Sequence, residues 1–202
     1  MKRSLVIAAA AVLAFGIAAC SSPTPTFYAL RPSAAQAADA RAAAAIIVVV
    51  GPVTVPEMVD RPQIVTINPD QTIAVNEFAR WAAPLKSDIG RVIAADLGDR
   101  LGVEHISVVD PGAGTQEKWQ VRVDIMHFDS IPGDSATIDA QWAVRPPERR
   151  SWVWGHTRAR VPVASRDYGA LVDAHDAALA AISGDIAAVI RANAAPPAGA
   201  SK

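Results

Sequence analysis

The chain has 202 residues, with 19 basic and 20 acidic side chains and a formal net charge of −1. This balance argues against a nucleic-acid-binding protein, which needs a clustered basic surface. Cys20 is the only cysteine, so no disulfide can form within the chain. After Cys20 no apolar run reaches the roughly 18 residues that a membrane-spanning helix requires. The sequence therefore predicts one domain of ordinary size that does not cross a membrane.

The first 20 residues carry the pattern of an export signal. Lys2 and Arg3 supply a positive start, residues 5–15 are apolar, and small residues lead up to Ala19. The order aliphatic, alanine, alanine, cysteine at 17–20 resembles the lipobox of bacterial lipoproteins. That resemblance implies that residues 1–19 are a signal peptide and that the Cys20 thiol is acylated. The alternative is ordinary cleavage at an Ala-x-Ala type site with an unrelated cysteine nearby.

An acylated cysteine would hold the protein on a bilayer. Each buried methylene contributes ~0.8 kcal/mol, so one chain binds reversibly, whereas two or three chains bind essentially permanently. Ser21 follows the cysteine, and resemblance to enterobacterial sorting rules implies the periplasmic face of the outer membrane rather than the inner membrane. Residues 20–26 include two prolines and are predicted to form a short lipidated tether.

The segment after the tether begins with a β-prone patch at 27–30. The alanine-rich residues 33–45 are predicted to form a loop with helical tendency. The β-branched run 46–50 predicts a strand that is buried on both faces.

A hairpin and a helix are predicted next. Residues 63–67 and 72–75 are strand-like and flank a turn sequence. Apolar side chains recur at helical spacing over 84–101, and Gly102 is placed to end that helix.

The second half of the chain predicts more sheet and one long helix. After a short strand at 105–109, apolar and polar side chains alternate over 119–126, 136–144 and 152–161, which predicts an antiparallel meander. Helical spacing returns over 167–193.

This order of elements predicts an α+β fold. We expect a two-layer sandwich in which two main helices pack on one face of a mixed, mostly antiparallel sheet. The domain is predicted to span residues 27–193, and residues 194–202 are predicted to be a disordered tail.

Three groups of residues resemble a known family. They are the patch at 27–30 just after a lipobox, the Gly-Pro-Val at 51–53 with Asp-Arg-Pro-Gln-Ile-Val at 60–65, and Glu77 with Arg-Trp-Ala-Ala-Pro-Leu at 80–85. Together they resemble the PqiC (YmbA-like) lipoproteins, also called ABC-type transport auxiliary lipoprotein components.

The resemblance implies a compact sandwich similar to the amino-terminal domain of TolB. It also implies a periplasmic accessory subunit whose partners are an MCE-domain (PqiB-like) protein and inner-membrane transporter components. MCE proteins form rings or tubes that carry lipids between the two membranes. A homo-oligomeric ring of this chain is a natural docking platform for such a partner.

Asp60, Arg61, Pro62, Arg80 and Trp81 are the candidate partner-binding residues, because exposed Trp and Arg side chains commonly anchor interfaces. The alternative is structural. An Asp60–Arg61 ion pair would then fix a loop, and Trp81 would fill the core.

A second candidate patch lies on the last predicted strand. Trp152 and Trp154 share a face with Arg158 and Arg160. This face is either an exposed contact patch or the side of the sheet that the helices cover.

Neither a metal site nor a catalytic site is predicted. The four histidines, His105, His127, His156 and His175, lie on different elements without metal-ligand spacing. The sequence has no nucleophile elbow, and the glycine-rich turn at 112–115 lacks the lysine of a phosphate loop.

The sequence therefore predicts a non-enzymatic lipoprotein subunit without a cofactor, which docks a lipid-transport conduit at the outer membrane. The alternative is a periplasmic lipoprotein that itself binds a lipid or another hydrophobic ligand. A deep apolar cavity between sheet and helices would favour ligand binding, whereas a filled core with an exposed Trp/Arg patch would favour docking. An envelope hydrolase is the least favoured class.

Overall fold

Two helices pack on two β-sheets, which confirms the predicted α+β class. The computed structural model describes residues 23–33, 46–103, 105–108, 118–147 and 151–194. The predicted signal peptide, Cys20, most of the predicted 33–45 loop and the tail beyond residue 194 lie outside the described residues.

The described residues form the following elements. The strands are β1 (Thr26–Tyr28), β2 (Ile47–Thr54), β3 (Gln63–Ile67), β4 (Ile73–Trp81), β5 (Ile106–Ser107), β6 (Lys118–Ile131), β7 (Ser135–Arg145) and β8 (Val153–Pro162). The helices are α1 (Leu85–Leu101) and α2 (Tyr168–Asn193), and a short 3₁₀ turn spans Glu57–Val59.

The strands divide into two sheets. The larger sheet has the order β5-β2-β6-β7-β8, with β2 parallel to both neighbours and β6, β7 and β8 forming the predicted antiparallel meander. The smaller sheet has the order β1-β4-β3, in which β3 and β4 are the predicted hairpin and β1 runs parallel to β4. Because the hairpin pairs with β1 rather than with β2, it forms a separate layer beside the larger sheet.

Strand β4 is longer than the predicted hairpin strand, which ended at Val75. It continues to Trp81 through a bulge. The Asn76 side-chain oxygen accepts the backbone N–H groups of Phe78 at 2.8 Å and Ala79 at 3.1 Å, so a local side chain satisfies the amides that the bulge removes from the ladder.

The helices begin and end as the sequence predicts. Helix α1 follows Pro84 and ends at Gly102, which adopts the left-handed conformation with φ 64°. Helix α2 is capped by Asp167, whose side chain accepts the Ala170 N–H at 2.8 Å. Neither helix is long and apolar enough to cross a membrane.

The helices cover one face of the larger sheet, and this interface is filled by side chains. Ile138 and Ala140 of the sheet and Leu179, Ile182 and Ile186 of α2 have no accessible surface. The alternating strands therefore place their apolar side chains against the helices, as the meander pattern predicts.

A polar relay also joins the sheet to α2. Trp142 Nε1 donates to Thr157 Oγ1 at 2.9 Å, and Thr157 Oγ1 donates to Asp185 Oδ2 at 2.6 Å. Gly155 faces Trp142, and a Cβ at that position would come within 2.1 Å of the indole ring. Only glycine therefore leaves room for Trp142 to reach its hydrogen-bond partner.

Candidate functional site

The segment that follows β1 is held by polar side chains of α1. Leu30 is 1% exposed, and its N–H donates to Asp88 Oδ2 at 3.0 Å. Arg91 Nη2 donates to the Leu30 carbonyl at 2.7 Å and to Asp88 Oδ1 at 2.7 Å. The Leu30 backbone is therefore bound at both its donor and its acceptor by one ion pair of the helix.

Two further carboxylates hold the next residues of this segment. The Arg31 N–H donates to Asp176 Oδ1 of α2 at 3.0 Å, and the Ser33 N–H donates to Asp96 Oδ1 of α1 at 2.7 Å. Hydrogen bonds to ionised acceptors are about twice as strong as neutral ones. We call residues 30–33 with Asp88, Asp96 and Asp176 the tether clamp, because the segment starts ten residues after Cys20.

Burial shifts the pKa of two carboxyl groups of the tether clamp. It raises the pKa of Asp176 to about 6, opposed by the bond from the Arg31 N–H and reinforced by the nearby Asp173 carboxylate. Burial also raises the pKa of Asp96, against the effect of the Ser33 N–H. Ionisation of Asp96 and Asp176 in the folded protein therefore costs free energy, because burial disfavours the charged form.

The predicted partner-binding residues lie in two segments that the fold brings together. The Trp81 N–H donates to the Pro62 carbonyl at 2.7 Å. Asp60, Arg61 and Pro62 form an exposed loop. Asp60 pairs with Lys86 at 2.6 Å, whereas the structural alternative paired it with Arg61.

Trp81 differs from the loop in its exposure. It is 5% exposed and packs edge-on against Phe128, with ring centroids 6.1 Å apart. Trp81 therefore fills the core, as the structural alternative predicts. Arg80 is half-buried. The surface available to a partner at this motif is therefore the 60–62 loop, with Arg80 at its edge.

The smaller sheet exposes a set of apolar side chains that the sequence did not single out. We call them the hairpin face, whose members are Phe27, Ile73, Val75 and Phe78. Alternation alone did not predict which side of the hairpin is exposed, because β3 is apolar on both faces.

The larger sheet has one face that no described helix covers, which we call the open sheet face. Trp154 is 68% exposed there. Two guanidinium groups lie over the Trp152 ring, with Arg122 4.6 Å and Arg145 5.1 Å from its centroid. Arg158 is exposed on the same face. The contact-patch interpretation of this strand therefore agrees with the structure, and the helix-covered interpretation is wrong.

A groove of about 290 Å³ also opens on this sheet. It is lined by Val49, Gly51, Pro52, Val108, Gln120 and Arg122. Its lining mixes polar and apolar groups, and it does not extend between the sheet and the helices.

A Ser–His pair is buried in the described part of the chain. His175 Nε2 and Ser130 Oγ are 2.8 Å apart, and the imidazole stacks on Phe128 at 4.0 Å. Burial lowers the pKa of His175 to about 3, so the ring is neutral near pH 7. In the described part of the chain no carboxylate contacts its Nδ1. The pair therefore has a packing role and lacks the orienting acid of a catalytic triad.

Clustered metal ligands are also missing from the residues that the structure describes. No group of three or more His, Cys, Asp and Glu side chains there is arranged to hold a metal ion.

A family model for the ABC-type transport auxiliary lipoprotein component matches residues 28–187. The chain belongs to this family. The family consists of transport auxiliary components and not of enzymes, and its lipoprotein character indicates a cell-envelope location. Among curated proteins, no sequence matches the chain.

Solved structures share the fold of this auxiliary lipoprotein. An uncharacterized protein is 17% identical, with a TM-score of 0.68, and the match covers 83% of this chain and 99% of that one. Protein XCC0632 from Xanthomonas campestris, of the DUF330 family, is 16% identical with a TM-score of 0.64, and the match covers 84% and 100% of the two chains. At these identities the likeness establishes the fold alone.

Replacement of Asp176 by asparagine should stabilise the protein more at pH 7.5 than at pH 4.5. The folded-state pKa of about 6 lies above the ordinary value of 3.8, so the contribution of this carboxyl is fully present below pH ~4 and is lost as the pH rises through 6. Asparagine keeps an oxygen for the Arg31 N–H but cannot ionise. We expect a gain of about 1–2 kcal/mol at pH 7.5 and a smaller one at pH 4.5, measured by urea unfolding.

His175 gives wild type the opposite pH dependence, since its lowered pKa removes stability as the pH falls below 6.5. It is present in both proteins, so its effect cancels in their difference. Glu57→Gln, an exposed change on the 3₁₀ turn, is the control. An Asp176→Asn gain that is equal at the two pH values would contradict the argument.

Proposed function

We propose that this protein is a lipoprotein subunit of an MCE-type intermembrane lipid-transport complex, a PqiABC-like or ABC transporter system. Acyl chains on Cys20 hold it on the periplasmic face of the outer membrane, and its folded domain docks the end of the lipid conduit there. Family membership supports the transport role, and the lipobox at 17–20 supports the anchor.

The observation that carries docking is the filled interface between the helices and the larger sheet. Its central side chains, Ile138 and Ile182 among them, are completely buried. A subunit that carried a lipid inside its fold would need an apolar cavity of several hundred Å³ at this place. The side chains of the 60–62 loop lie on the surface of the domain, where they can contact another protein.

The alternative function is that the lipoprotein itself binds a lipid or another hydrophobic ligand. The groove beside Arg122 and Val108 is the place that favours it, since a guanidinium lies there next to apolar side chains. The groove lies on one side of the sheet and offers little enclosure for an acyl chain. Docking therefore remains the better-supported proposal.

The 60–62 loop is the proposed contact with the MCE-domain protein. Arg61 is exposed beside the Asp60–Lys86 ion pair, and Arg80 lies at the edge of the same region. Trp81 supports this loop from below through its bond to the Pro62 carbonyl. Its proposed part in partner binding is therefore to position the loop.

Replacement of Cys20 by alanine should separate the anchor from the fold. The variant should be exported, remain folded and soluble in the periplasm, and fail to restore lipid transport in a strain that lacks the wild-type protein. Cell fractionation and circular dichroism measure the export and folding of the variant. Complementation in the same strain measures its lipid transport. Full complementation by the soluble variant would mean that anchoring is not needed for the function.

Replacement of Arg61 by glutamate should reduce capture of the MCE-domain protein in a pull-down by tenfold or more, since a charge reversal in an interface costs over 1.4 kcal/mol. Arg158→Glu, an exposed reversal on the open sheet face, is the matched control and should bind as wild type does. Loss of binding in Arg158→Glu alone would transfer the docking site to the open sheet face.

The same samples test the proposed homo-oligomeric ring. Mass photometry should find a closed assembly of several copies, and only monomer at micromolar concentration would contradict it.

A further inference from the structure

The hairpin face is an unusual surface for a protein of this size. Phe27 is 63% exposed, Phe78 47%, Ile73 45% and Val75 38%. These four are half of the large apolar side chains that are exposed in the described part of the chain. A concentration of exposed apolar groups on one small sheet marks a contact with another molecule.

These side chains share the outer side of the smaller sheet. Phe27 lies opposite Arg80 in the parallel β1–β4 pair, and Phe78 precedes Arg80 by two positions on the same strand. Between and beyond them, Ala79 and Trp81 point into the core and are buried. Phe27 and Phe78 are therefore diagonal neighbours on the outward side.

The short stretch of chain between the predicted anchor and strand β1 indicates what this face contacts. Cys20 precedes Phe27 by seven residues, and an extended chain spans at most ~3.6 Å per residue, so the Cα of Phe27 lies within about 25 Å of the Cα of Cys20. The first described residue, Pro23, lies within about 11 Å of it by the same measure. Strand β1 is thus the first strand of the described domain after the predicted anchor, and the chain keeps it within this distance of Cys20.

The rest of the segment fixes the orientation of β1. Two residues after Tyr28, Leu30 is held between Asp88 and Arg91, so the chain cannot swing away from the helices without breaking the clamp. Strand β1 and the smaller sheet therefore keep a fixed position relative to the helices.

Polar groups lie within and beside the hairpin face, where exposed Glu77 stands between Val75 and Phe78 on β4. Gln63 Nε2 donates to Glu77 at 3.1 Å, and the Arg80 guanidinium stands on the same side as Phe27. An arginine beside aromatic side chains suits a bilayer interface, where the long stem lies along apolar groups and the charge reaches the phosphates.

We propose that the hairpin face rests on the bilayer surface, with Phe27 and Phe78 entering the boundary between headgroups and acyl chains. This inference rests on the acylation of Cys20, which is part of the proposed function. The apolar area is small, so it binds lipid weakly by itself. The anchor supplies a high effective concentration that makes the weak contact persist. The outcome is a domain with one fixed side toward the membrane.

The test uses the acylated protein in vesicles of phosphatidylethanolamine and phosphatidylglycerol. A nitroxide is attached to Val75→Cys on the hairpin face or to Met126→Cys on the larger sheet, since acylated Cys20 has no free thiol. Met126 is 50% exposed and serves as the matched position. Collision rates with oxygen, which concentrates in lipid, and with a water-soluble nickel chelate are compared by electron paramagnetic resonance.

We expect the oxygen-to-nickel ratio at position 75 to exceed that at position 126 by threefold or more. Adding Phe27→Ser and Phe78→Ser should remove this difference while the protein stays on the vesicles. An equal ratio at both positions would overturn the inference. So would exclusion of both reagents from position 75 in the vesicle-free Cys20→Ala protein, since that result would assign the face to a second copy of the chain.

The intact mass of the same sample distinguishes a failure of the proposed anchor from a failure of the membrane contact. Missing acyl chains on Cys20 would overturn the proposed anchor and this inference with it. Acylated protein with a water-accessible position 75 would overturn the membrane contact alone and leave the docking function standing.

Discussion

The bond between the Leu30 backbone and the Asp88–Arg91 ion pair is the constraint on which the rest of the structure depends. A buried amide left without an acceptor costs about 1–3 kcal/mol, and here both the donor and the acceptor of one residue are satisfied by a single helix. Asp176 and Asp96 extend the attachment to both helices. Residues 30–33 are therefore part of the folded domain, which fixes strand β1 relative to both helices.

Much of the fold could be predicted because its signals are local. Helical spacing and a left-handed glycine define α1, and Asp167 caps α2 through its own side chain. Alternation over residues 119–125 of β6 defines which of these side chains meet the helices, and the run of valines in β2 matches a strand with parallel neighbours on both sides. In each case a few adjacent residues contain all the information that the element needs.

The clamp and the exposed faces could not be predicted, because their signals are not local. Leu30 and Asp88 are 58 positions apart, and no spacing rule relates them. Trp81 and Trp154 are the same residue type, yet one is buried and the other exposed, since burial depends on which side of each sheet another layer covers. The hairpin face depends on the pairing of β1 with β4, which leaves the outer side of both strands uncovered. No local signal predicts that pairing.

The most direct test of this account is hydrogen exchange, followed by NMR, at the amides of Leu30, Arg31 and Ser33. If the segment is clamped, these amides should exchange as slowly as the Trp81 amide, which is bonded to the Pro62 carbonyl within the fold. Exchange at the rate of an unstructured peptide would mean that the segment is a free tether.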